Sequence, residues 1–107
     1  MTEENIEKLK VLEQNLSSVV MQRQNFQKQI LEIDFAIKEL KNVDDAYHIV
    51  GTIMIKKSAS DLLSQLNEKK ETISVKITSV LKQEESLRGE LQELQTLVMA
   101  ELQQKGD

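Results

Sequence analysis

The 107-residue chain contains no cysteine, no proline and no tryptophan, and aromatic residues make up only 3% of it. Without cysteine it has no disulfide framework, no thiolate metal site and no cysteine nucleophile. Without proline, nothing in the sequence breaks a long helix. Because aromatic side chains are so scarce, the chain cannot build a large globular core around bulky anchors. Together with a composition dominated by Glu, Lys, Gln and Leu, these absences favour long helices and coiled coils.

The residues needed for catalysis are equally scarce. The only histidine, His48, lies in a predicted strand with no second ligand at metal-binding spacing. No glycine-rich phosphate loop is present, and no serine has a recognisable base partner. We therefore expect no catalytic residue, no metal site and no cofactor.

Charge and hydropathy limit the possible partners. The net charge is −4, and acidic and basic residues alternate without a dense basic block. Such a chain has nothing with which to neutralise a run of phosphates, so nucleic acid is excluded as the expected partner. No apolar run approaches the length that spans a membrane, and residues 1–5 lack the features of a signal peptide. We expect a soluble, cytoplasmic protein that does not bind membranes.

A short β-rich segment, residues 47–57, interrupts an otherwise helical pattern. Gly51-Thr52 lies between two apolar runs and predicts a two-residue hairpin turn, with glycine first as in type II′. The expected pairing places apolar side chains on both faces of the hairpin, so it must be covered or paired. We predict a hairpin over about 46–57 that drives assembly with other subunits, and the alternative is a hairpin folded onto its own helices. The assembly residues are Tyr47, Ile49, Val50, Gly51, Ile53, Met54 and Ile55.

Heptad repeats flank the hairpin and predict helices over about 3–41 and 59–104. The first seam is Leu9, Leu12, Leu16, Val19, Arg23, Phe26, Ile30, Ile33, Ile37 and Leu40. The second is Ala59, Leu63, Leu66, Lys70, Ile73, Ile77, Val80, Glu84, Leu87, Leu91, Leu94, Val98 and Glu101. Joined by a hairpin, the two helices must pack antiparallel to hide these stripes. The expected fold is mainly α, a single domain over residues 1–107.

Charged residues that interrupt one seam should pair with charged residues of the opposite helix. The antiparallel register brings Arg23 within one layer of Glu84, and we predict a salt bridge between them. Lys70 faces Ile33 in this register and can reach Asp34 or Glu32. These charges are expected to fix the register of the helices.

Apolar residues off the seams fall into two main groups. Near the hairpin, Leu31, Phe35 and Leu62 could pack beneath it or against a neighbouring subunit. Near the chain ends lie five residues, which we call the tip residues, that an antiparallel helix pair has no obvious means of covering. Such a surface suits adaptable binding of other apolar chains, although scattered surface hydrophobes or a further helical contact inside an oligomer remain alternatives. The tip residues are Ile6, Val11, Leu97, Met99 and Leu102.

The central residues resemble the signature of the prefoldin β subunit family. That signature is an aromatic residue, two further residues, Val-Gly, two more residues, then two apolar residues and a lysine. This signature is matched here by Tyr47, Val50-Gly51, Met54-Ile55 and Lys56. A helix rich in Leu, Lys and Glu follows. The single hairpin and short length are similar to the β class. Ser58-Ala59-Ser60 departs from the charged residues more usual there.

The resemblance implies a function as well as a fold. It implies a hexamer of two α and four β subunits whose hairpins form a β-barrel platform. It also implies a holdase that works without ATP, binds unfolded proteins at its coiled-coil tips and delivers them to a group II chaperonin. The alternative is a structural coiled-coil protein that assembles through its hairpin and tethers one fixed partner.

Overall fold

The computed structural model describes residues 2–105, which form a helix, a hairpin and a second helix. Helix α1 spans Thr2–Leu40, strand β1 spans Asp45–Val50, strand β2 spans Ile53–Ser58, and helix α2 spans Ala59–Lys105. The predicted fold class is therefore confirmed. Helix α2 begins at Ala59 as predicted, and the other three helix ends differ from the expected ones by one residue, because the assignment of terminal turns shifts by one or two positions. No helix within residues 2–105 is both long and apolar enough to cross a membrane.

The two heptad seams form the buried stripe of both helices. Every seam position expected from the sequence is buried or half-buried, whereas most positions between them are exposed. The most fully buried apolar side chains are Ile33, Ala59, Leu62, Ile73, Val80 and Val98. A buried stripe at this spacing is what a 3.5-residue repeat produces.

The chain divides into two compact units, each containing a part of both helices. The central unit, Asn25–Ile77, contains the end of α1, the hairpin and the start of α2. Within residues 2–105, the terminal unit contains the residues up to Gln24 and those from Thr78 onward. Each unit has its own buried residues, with Ile33 and Ile73 in the central unit and Val80 and Val98 in the terminal unit.

The hairpin has the register and turn that the sequence predicts. Its strands are antiparallel, and Val50 pairs with Ile53, Ile49 with Met54 and His48 with Ile55. Gly51 has a φ of 61°, and within residues 2–105 no non-glycine residue has a positive φ. A single positive φ at the first turn position fits type II′ and excludes type I′, which needs a second one at Thr52.

A cap and a backbone hydrogen bond join the hairpin to α2. The backbone N–H of Asp61 donates to Ser58 Oγ over 3.2 Å, so Ser58 caps the helix. The backbone N–H of Ala59 donates to the carbonyl of Asp44 over 2.9 Å. This second bond ties the first residue of α2 to the segment that precedes β1, which closes the base of the hairpin.

Candidate assembly hairpin and tip surface

The assembly hairpin exposes apolar side chains on both of its faces. Ile49 and Met54 lie on one face with exposed fractions of 64% and 62%, and Val50 and Ile53 lie on the other with 54% and 63%. The neighbouring Tyr47 and Ile55 are exposed as well. The alternative in which the hairpin folds down onto its own helices is therefore wrong, because that packing would bury one face.

Open strand edges add to the binding capacity of this hairpin. The sheet described for the chain has two strands, so each has one edge whose backbone N–H and C=O groups have no ladder partner. Such edges pair readily with strands of other chains. An exposed, two-sided apolar hairpin with open edges has the chemistry of an element that another strand completes.

The five tip residues are all exposed. Their exposed fractions are 36% for Ile6, 52% for Val11, 48% for Leu97, 58% for Met99 and 48% for Leu102. All five belong to the terminal unit. The structure thus groups on one unit the apolar side chains that the sequence places at opposite ends of the chain.

A shallow groove of about 400 Å³ lies within the terminal unit. It is lined by Leu12 and Leu94 of the seams, by the tip residue Val11, and by Glu7, Lys8 and Glu90. The exposed surface of the groove is almost entirely apolar, although three of these six residues are charged. Sequence reasoning did not predict it, because a heptad pattern indicates which residues face each other but not how closely the helices fill the space between them.

The predicted salt bridge between Arg23 and Glu84 is confirmed. Arg23 Nε lies 2.8 Å from Glu84 Oε2, and Arg23 Nη2 donates to Glu84 Oε1 over 3.3 Å. Arg88 Nη2 also donates to Glu84 Oε1 over 3.0 Å. Arg88 was not predicted as a third member, although a Glu followed four residues later by Arg is a recognised helical pair.

The two arginines keep Glu84 ionised. Hydrogen bonds first from Arg88 and then from Arg23 hold the pKa of the Glu84 carboxyl below its ordinary value of 4.5, and burial opposes them. Glu84 itself is buried, with an exposed fraction of 7%. A buried carboxylate with bonds to two guanidinium groups satisfies its acceptors and fixes the helix register, which is a structural role.

Polar residues extend the seam beyond its expected start at Leu9. Thr2 and Asn5 are buried, with exposed fractions of 7% and 8%. Asn5 Nδ2 donates to Glu101 Oε1 over 2.9 Å across the helix pair. This extension was not predicted, because the seam was defined by apolar residues, although Asn5 and Thr2 continue the same spacing of three and four.

Near the hairpin, the off-seam residues do not share one environment. Leu62 is buried, whereas Leu31 and Phe35 keep exposed fractions of 70% and 65%. Lys70 Nζ lies 2.6 Å from Asp34 Oδ1. Of the two predicted partners, Asp34 and Glu32, Lys70 thus pairs with Asp34. Lys76 Nζ stands 6.0 Å from the centre of the Phe26 ring, so the ammonium group lies near an aromatic side chain of the other helix.

Known proteins share both the sequence and the fold. A family model described as prefoldin subunit matches residues 3–105. The prefoldin subunit beta of Archaeoglobus fulgidus is 36% identical over 93 residues, which cover 84% of this chain and 80% of that protein. The counterpart from Methanospirillum hungatei is 32% identical over 101 residues, covering 92% and 84%.

A solved structure agrees with these relatives. The crystal structure of the prefoldin beta subunit from Thermococcus strain KS-1 matches with a TM-score of 0.84 and 29% identity. The match covers 94% of this chain and 91% of the other. The chain therefore belongs to the prefoldin subunit family, whose members are non-enzymatic chaperones that assemble with other prefoldin subunits.

Proposed function

We propose that this chain is the β-type subunit of a holdase that binds unfolded proteins without ATP and delivers them to a group II chaperonin. In this proposal, four copies join two α-type subunits through their hairpins, which form a β-barrel platform in a cytoplasmic hexamer. The terminal unit of each copy then offers its tip residues to clients. The chemistry of the tip residues is the observation that carries the proposal.

The tip residues have the properties that binding of varied unfolded chains requires. They are apolar, exposed and gathered on one unit, so they can remove apolar segments of a client from water. Met99 and Leu97 have flexible side chains that adapt to different surfaces. The groove lined by Leu12, Leu94 and Val11 gives such a segment an apolar surface on which to lie.

Assembly would strengthen weak contacts. A few apolar side chains on one copy provide only modest affinity, because ordering an unfolded segment costs conformational entropy. Several copies held together by their hairpins would engage one client at several points, and the effective concentration of the later contacts would raise the total affinity. The proposal thus gives the hairpin and the tip residues separate tasks, and only their combination produces a useful holdase.

The experiment that tests the proposal measures aggregation of several unrelated denatured proteins in the presence of the assembled complex. Suppression of light scattering for all of them, with and without ATP, supports a holdase. Pull-down of a group II chaperonin with a loaded client tests delivery. Suppression of only one protein would instead favour the structural alternative, in which the tips tether a fixed partner.

A further inference from the structure

Leu31 and Phe35 form an exposed apolar pair on the outer face of α1, in the same compact unit as the hairpin. They lie four residues apart, so they are neighbours on one side of the helix. Relative to the seam residues Ile30 and Ile33, Phe35 occupies heptad position f, directly opposite the seam, and Leu31 occupies position b. Helix α2 packs on the a and d positions and therefore cannot cover this pair.

Few aromatic residues are available to this chain, which makes their placement informative. It has two phenylalanines and one tyrosine. Phe26 is half-buried in the seam, whereas Phe35 and Tyr47 are exposed at 65% and 62%. Both exposed aromatics therefore belong to the central unit. Aromatic side chains are enriched at the buried centres of protein interfaces, where they contribute much of the binding energy.

The hairpin alone is small for a stable interface. Strands β1 and β2 contribute six residues each. A standard protein interface uses about 20–30 residues on each side. Phe35 lies five residues before the end of α1, which is about 8 Å along the helix axis. The pair and the hairpin thus lie close together along the chain and in one compact unit.

Charged residues border the pair on its own helix. Lys28 precedes Leu31 by three residues, and Lys38 follows Phe35 by three. Glu32 and Glu39 lie on the adjoining side. An apolar centre within a charged rim is the arrangement of a protein interface, and such a rim keeps the free subunit soluble before it assembles.

We infer that Leu31 and Phe35 form a second assembly contact, which an adjacent prefoldin subunit of the same complex covers. This inference rests on the proposed assembly through the hairpin and extends it to the outer face of α1. The occupant presents apolar side chains to this pair and strand edges to the hairpin. The pair therefore stabilises the complex and has no part in client binding.

The test replaces both residues with alanine, because alanine removes the apolar area and preserves helix propensity. Leu31→Ala/Phe35→Ala subunits are assembled with an α-type partner and followed by sedimentation velocity over a dilution series. The subunit concentration at half-dissociation should rise about tenfold or more relative to wild type. The matched control is Val75→Ala, which removes a solitary exposed apolar side chain from α2 of the same unit and should leave that concentration unchanged.

Circular dichroism of the separate subunits checks that the variants fold equally well. A double variant that dissociates at the same concentration as Val75→Ala overturns the inference. The hairpin proposal is tested separately with Ile53→Asp, which should abolish assembly whatever the helix face does. If the double variant dissociates like the control while Ile53→Asp fails to assemble, the contact at Leu31 and Phe35 is refuted. The proposed function, which depends on the hairpin, would still stand.

Discussion

Arg23 Nε and Glu84 Oε2 lie 2.8 Å apart, although 61 positions separate these residues in the chain. Both interrupt seams that are otherwise almost wholly apolar. A buried carboxylate without its cations is strongly unfavourable, so wrong registers that separate the pair are penalised. The interaction therefore selects one alignment of two helices whose Leu and Ile layers resemble each other.

The first prediction concerns the coupling of this pair. Arg23→Leu, Glu84→Leu and the double variant form a thermodynamic cycle measured by thermal unfolding. Each single change leaves one member of the pair without the other, whereas the double change places apolar side chains at both positions. The loss of Tm in the double variant should fall short of the sum of the single losses by about 4 °C or more. Additive losses would contradict the coupling.

The second prediction concerns pH. The pKa of Glu84 is lower in the folded protein than its ordinary value of 4.5, so the folded state binds fewer protons there than the unfolded chain does. The stabilisation is complete above about pH 4.5 and is lost as the pH falls through the lower pKa of the folded state. Glu84→Gln should lower Tm at neutral pH, and its deficit relative to wild type should shrink below pH 4.5.

Thermal unfolding followed from neutral to acidic pH measures this effect. Glu85→Gln is the matched control, because Glu85 is the adjacent residue but lies exposed. A Glu84→Gln deficit that stays constant across the whole pH range would refute the assignment.

The third prediction concerns the hairpin. Ile53→Asp introduces a charge into a strand that assembly should bury, and burial of an unpaired charge is costly. The variant should elute as free subunits when mixed with an α-type partner, as measured by size exclusion with light scattering. Val75→Asp makes the same type of change on an exposed helix position of the same unit and should still assemble. Normal assembly of Ile53→Asp would show that the hairpin is not the interface.

The fourth prediction concerns the tip residues. With all five changed to serine, assembly should persist because neither the seams nor the hairpin are altered. The ratio of complex to client needed for half-suppression of aggregation should rise about tenfold or more, because avidity multiplies the loss at each copy. A variant with Val75→Ser and Leu81→Ser removes exposed apolar side chains elsewhere and should hold clients as wild type does. Undiminished holding by the five-residue variant would place the client site elsewhere on the molecule.

Sequence periodicity was sufficient to predict the seams, the hairpin register and the pairing of Arg23 with Glu84, because each follows from which positions share a face. It could not decide the surroundings of Leu31, Phe35 and Leu62. Whether each of these side chains is buried depends on how the hairpin is oriented relative to the helices. That orientation leaves no periodic pattern in the sequence. Nor could apolar periodicity predict that Asn5 is buried, because a polar residue is not counted when a seam is traced through apolar residues.

The polar end of the seam has a dynamic consequence. At this end Asn5 is hydrogen-bonded to Glu101, and Thr2 is buried. Separation of the helices here exposes polar groups to water instead of leucine side chains. Water replaces the lost hydrogen bond, so opening here costs less than opening at an apolar layer. The two helix ends can therefore part more readily than the apolar layers that follow them. In the proposed holdase, clients of different thickness would then meet a gap of variable width between these ends.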